Sequence, residues 1–82
     1  MIRLGDNIKY LRNKKRLSQR ELAKILCLSR NQIASYEYRI AEPSIKTLID
    51  LANFFDVSID DLIRSDIYKI LQKKIKNEHN CN

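Results

Sequence analysis

The chain has 82 residues, enough for one small domain, and 44% of them are apolar, an ordinary share for a globular protein. A single Gly and a single Pro leave few residues for hairpin turns, so an all-helical fold is expected. The formal net charge of +6 suits an anionic partner, while the lack of a Gly-rich phosphate loop, a Cys/His metal pattern or a base beside either cysteine argues against an enzyme and against a metal or other cofactor.

The first helix is expected over 6–15. Ile8 and Leu11 face inward, with Leu4 and Leu17 flanking them. Lys9, Arg12, Lys14, Lys15 and Arg16 crowd its end, where cations complement the helix dipole or face a phosphate. Ser18 then stands three residues before Glu21, and Ser29 three before Gln32. Both are capping-box patterns, and they open two short helices joined by a tight turn over 18–38.

The helix over 19–26 is expected to bury Leu22, Ala23, Ile25 and Leu26. Gln19 sits in its first turn, where free N–H groups can hold a phosphate, with Arg20 beside it. Cys27 ends it at a position where a left-handed backbone suits Gly, and a Cys there costs roughly 1 kcal/mol. The thiol is expected to be structural and half-buried rather than a redox switch.

The next helix runs from Arg30 to Tyr36 or Glu37, with Ile33 and Tyr36 as its anchors. Its other side carries Arg30, Asn31, Gln32 and Ser35. Such side chains add little to a core but pair with base edges, Arg with guanine and Asn or Gln with adenine. The unit therefore reads as a helix-turn-helix whose second helix enters the major groove.

Residues 39–43 form a loop in which Pro43 holds Glu42 extended. Ser44 caps a helix over 45–55, with Ile45, Leu48, Leu51, Ala52 and Phe55 at helical spacing and Phe54 and Phe55 in the core. Ser58 and Asp61 open a short helix through Leu62 and Ile63, its entry stapled by Val57 and Ile59. A sixth helix is expected over 66–77, with Ile67, Ile70, Leu71 and Ile75 forming a dimerisation stripe and lysines on its other faces. Residues 78–82 are polar, and His79 is given no role. These segments divide into a domain at 1–64 and a C-terminal helix and tail at 65–82, joined by a turn around Arg64–Asp66.

Charge is unevenly placed. Residues 1–41 hold ten basic and three acidic side chains, residues 42–66 two and six, and residues 67–82 four and one. Positive charge thus gathers around the reading unit, as facing phosphate requires. Cys27 and Cys81 make no disulfide framework, and there is neither a signal peptide nor an apolar run long enough for a bilayer. A cytoplasmic location and no membrane partner are expected.

With these residues in place, the chain resembles the Cro/C1-type helix-turn-helix family, the five-helix lambda-repressor-like DNA-binding domain of phage repressors, here with one additional C-terminal helix. The resemblance covers about residues 4–63 and rests on LSQRELAKIL at 17–26, LSRNQIASYE at 28–37 and EPSIKTLIDLANFFDVSIDDLI at 42–63. It implies base contacts from Arg30, Asn31 and Ser35, base or backbone contacts from Gln32, a phosphate or nearby base contact from Gln19, backbone contacts from Tyr38, Arg39 and Lys46, and an Arg12–Glu37 ion pair between the first and third helices. The family usually has Gly where Cys27 and Arg39 stand. The short length resembles Cro-like repressors and restriction–modification controller proteins. The expected function is a homodimeric, sequence-specific regulator of double-stranded DNA acting on an inverted repeat, with no small-molecule ligand evident. The alternative is an antitoxin-like module that binds a partner protein, for which only residues 64–82 are free.

Overall fold

The computed structural model describes residues 3–72, and among them every regular element is helical. They are α1 (Leu4–Lys14), α2 (Gln19–Ile25), α3 (Arg30–Glu37), α4 (Ile45–Phe55) and α5 (Ile59–Arg64). A further helix, α6, begins at 67 and continues to the last described residue, 72.

Serine starts four of these helices. Ser18, Ser29, Ser44 and Ser58 have extended backbones, and their hydroxyls accept the N–H of Glu21 (3.0 Å), Gln32 (3.1 Å), Thr47 (3.2 Å) and Asp61 (3.0 Å). In α2 and α3 the box closes, because Glu21 Oε1 and Gln32 Oε1 each accept the serine's own N–H at 2.9 Å. Each cap satisfies helix N–H groups that have no carbonyl to meet.

The helix ends are equally uniform, but without glycine. Arg16, Cys27, Arg39 and Asp56 all have φ between 56° and 62°. The N–H of the following residue reaches back five positions, Leu17 to the Arg12 carbonyl (3.1 Å), Leu28 to Ala23 (2.8 Å), Ile40 to Ser35 (2.9 Å) and Val57 to Ala52 (3.0 Å). These are Schellman ends, which normally favour Gly at the left-handed residue. Leu17, Leu28 and Val57 then pack on the core, as the motif favours, whereas Ile40 stays exposed.

Ile8, Leu22, Ile33, Leu51 and Leu62 are fully buried, so each of α1 to α5 supplies one central side chain. Gly5 lets α1 lie against the end of α3, since a Cβ there would stand 2.6 Å from the Tyr36 carbonyl oxygen. Asn7 is buried and joins distant chain segments. Its amide nitrogen donates to the carbonyls of Leu62 (2.7 Å) and Ser65 (2.8 Å), and its oxygen accepts the Ile67 N–H (3.4 Å).

Several expectations change. Helix α1 starts at Leu4 rather than at 6, with the preceding Arg3 N–H donating to the Ile63 carbonyl at 2.6 Å. Ile25 is exposed because it lies off the α2 stripe made by Leu22, Ala23 and Leu26. Ile45 and Ile59, the first residues of α4 and α5, are exposed; Phe54 is half-buried. Ile67 is only 3% exposed and belongs to the core, so it is not available to a dimer stripe. With the Asn7 bonds, this carries the packed unit past the expected boundary at 64. Leu71 is half-buried against the core, Ile70 is exposed, and Ile75 lies outside the described residues.

Candidate nucleic-acid interface

Helix α3 has two unlike sides. Ile33, Tyr36 and Glu37 are buried, and Arg30, Asn31 and Gln32 are exposed in its first turn. Glu37 is what a polar residue in a core must be, fully partnered. Arg12 of α1 grips it with two bonds, Nε to Oε2 at 2.6 Å and Nη2 to Oε1 at 3.0 Å. Arg12 Nη1 also donates to the Leu17 carbonyl (2.7 Å), and Gln19 Nε2 of α2 donates to Glu37 Oε1 (3.1 Å). One carboxylate thus fixes α1, α2 and the end of α3 relative to one another.

The proposed base-contacting residues do not stand alike. Arg30 and Asn31 are exposed with no hydrogen-bonding restraint among the described residues. Gln32 is exposed, but its carboxamide oxygen holds the Ser29 N–H. That oxygen keeps one lone pair and Nε2 both its donors for a further partner. Ser35 is half-buried beneath the outer face.

The proposed phosphate-contacting residues also differ in setting. Arg20 and Arg30 line one open depression with Arg12, Ser18 and Gln19. The Gln19 side chain points inward to Glu37 instead of outward. Tyr38, at the α3 C-cap, is exposed. Arg39 is also exposed, and its guanidinium meets the Asp6 carboxylate. Lys46 Nζ lies 2.9 Å from Asp50 Oδ2, one helical turn on. The hydrogen bond to Asp50, then its charge, raises the Lys46 ammonium above the ordinary lysine range. Across the unit, Glu21 is held below the usual carboxylate range by the Ser18 N–H and then by the Ser18 hydroxyl.

Cys27 occupies the turn between α2 and α3, and its thiol is exposed, not half-buried. A left-handed residue projects away from the two helices it joins, and here it leaves Leu26 and Leu28 to pack. Sequence reasoning did not single out Gly5, Asp6 or Asn7. For Gly5 a signal existed, since it is the chain's one glycine and falls beside a helical pattern. No helix among the described residues is long and apolar enough to cross a membrane.

The family model described as Helix-turn-helix matches residues 8–62. The chain is 34% identical over 78 residues to the uncharacterized HTH-type transcriptional regulator YqaE of Bacillus subtilis, covering 90% of this chain and 67% of that one. It is 38% identical over 60 residues to the SPbeta prophage-derived HTH-type regulator YonR of the same organism, covering 73% of this chain and 56% of that protein. The P22 c2 repressor, solved in complex with a synthetic operator, superposes with a TM-score of 0.72 and 28% identity over 77% of this chain and 96% of its own.

Proposed function

The chain belongs to the helix-turn-helix family whose model spans residues 8–62, and from that premise we propose that it is a sequence-specific double-stranded DNA-binding transcription regulator. It acts as a repressor in the cytoplasm, as a homodimer on an inverted repeat, with no catalytic step. The observation that carries this is the division of α3. Its inner side is locked by Ile33, Tyr36 and the Arg12–Glu37 pair, while Arg30 and Asn31 are exposed and Arg30 lines one depression with Arg20. A rigid helix with free fork-shaped donors on one face can read base edges, and a basic surround holds it on the backbone. The P22 c2 repressor, with the same arrangement of helices, was solved on operator DNA.

Selection of bound sequences from random duplex DNA, at near-physiological salt, tests the reading. Recovery of an inverted repeat is the expected result, and recovery of no motif from a folded protein overturns it. Within that repeat, Arg30→Ala relaxes the preference at one position per half-site. Equal weakening on all sequences would instead make Arg30 a phosphate contact.

A further inference from the structure

Arg39 is the first residue past the α3 C-cap, and its side chain turns back onto α1. The stem lies over the one residue of α1 that has no side chain, since a Cβ added at Gly5 would meet Arg39 Cγ at 3.3 Å. The guanidinium then donates through Nη2 to the carboxylate of Asp6, the next residue along. Arg39 Nε and Nη1 make no hydrogen bond among the described residues. Both side chains of the pair are more than half exposed, at 58% and 56%, so water and other anions reach it. The length of α3 sets where this pair meets a duplex. Its eight residues make a helix about 12 Å long, and the major groove is about 12 Å wide. With the first-turn Arg30 and Asn31 over base edges, the other end of α3 emerges at a sugar–phosphate wall and carries Arg39 to it.

At that wall a phosphate and the Asp6 carboxylate compete for one guanidinium. We infer that Asp6 is a built-in competitor of DNA phosphate: it holds Arg39 in the free protein and yields it to the backbone on binding, keeping affinity below what Arg39 alone would give. This deepens the nucleic-acid reading above and rests on it. The exchange is neutral to sequence, because phosphates carry no base information. Its size is that of an exposed ion pair, so Asp6 lowers affinity by about two- to fivefold and does not decide whether DNA binds. Glu42 supplies the contrast. It lines one open depression with Arg39 and is exposed, but it is in no ion pair among the described residues.

Titration of a duplex carrying the selected repeat, across a range of salt, tests the exchange in the full chain. The variants are Asp6→Asn, Arg39→Gln, which keeps the stem over Gly5, their combination, and Glu42→Gln as the control for net charge. Asp6→Asn is expected to bind about two- to fivefold tighter, and with a steeper salt slope, since no carboxylate is left to take up a cation when Arg39 departs. Arg39→Gln is expected to bind more weakly. In the Arg39→Gln background, Asp6→Asn gains no more than Glu42→Gln does. A gain that survives in full there is a general effect of charge and overturns the proposal. An Arg39→Gln variant with unchanged affinity and slope overturns it too, because Arg39 then stays on Asp6. Should selection recover no repeat, the same cycle on random-sequence duplex decides, as a phosphate contact needs no particular sequence. A wild type that binds no duplex refutes the nucleic-acid reading and the exchange together, whereas binding without coupling between Asp6 and Arg39 refutes the exchange alone.

Discussion

A methyl group at residue 5 would stand 2.6 Å from the Tyr36 carbonyl oxygen and 3.0 Å from that of Glu37. Both neighbours are backbone, so relief requires α1 and α3 to separate. Alanine is about 1 kcal/mol better than glycine inside a helix, whereas overpacking costs about 1–3 kcal/mol. Gly5→Ala is therefore expected to lower the unfolding free energy by about 1 kcal/mol or more in urea titration, and a more stable variant would refute this contact. Glu21 makes a prediction of opposite character, in pH. Its folded pKa lies below the unfolded value, because the charged form accepts the Ser18 N–H. Its contribution is present above the unfolded carboxylate pKa and is lost as pH falls through the lowered folded one. In Glu21→Gln, stability should depend less on pH across that acidic window, as followed by thermal melts.

The joint between α1, α2 and α3 is an element-scale device. Side-chain exposure is 10% for Arg12 and 1% for Glu37, so neither charge is relieved by water if the other is removed. Breaking such a pair typically costs about 3–5 kcal/mol, a large part of a small domain's stability. Glu37→Met and Arg12→Met are each expected to approach that range, and the Arg12→Met/Glu37→Met double variant to recover much of the loss. Additive effects in the double-mutant cycle would mean that the pair is not coupled. The serine caps show what is legible in sequence, whereas this joint, between residues 25 apart, entered only through the family resemblance. Ser-x-x-Glu and Ser-x-x-Gln are local patterns whose bonds form within the same four residues, and they marked the starts of α2 and α3. Asn7 was not legible because its partners lie 55–60 residues away. Ile45 and Ile67 were misplaced for a related reason. Spacing gives the face a side chain occupies on its own helix, but only the packed chain decides whether another element covers that face. The left-handed ends at Arg16 and Asp56 carried no glycine to announce them, and the exposure of Cys27 follows from the same geometry.

At the scale of the whole molecule, the question is which cations are free to meet phosphate. Residues 1–41 carry ten basic against three acidic side chains, and residues 42–66 two against six, so the domain is electrically polar along its sequence. The basic side chains are not equivalent, however. Arg12, Arg39 and Lys46 already face Glu37, Asp6 and Asp50, whereas Arg20 and Arg30 are in no ion pair among the described residues. Binding to DNA releases about 0.9 counterions per phosphate neutralised, which sets the slope of log affinity against log salt. A free arginine contributes that release in full. Lys46 contributes less, because leaving Asp50 obliges that carboxylate to take up a cation of its own. Arg20→Ala should therefore make the salt slope shallower by about 0.9, and Lys46→Ala by distinctly less, in titrations of a duplex across a range of salt. Asp50→Asn should restore to Lys46 the full contribution, so that Lys46→Ala in the Asp50→Asn background matches Arg20→Ala. Equal slopes for the two single variants would show that the Asp50 pair does not persist in the free protein, as the weak coupling of exposed ion pairs permits. A slope unmoved by Arg20→Ala would instead remove Arg20 from the phosphate face and turn the basic half of the molecule away from the duplex.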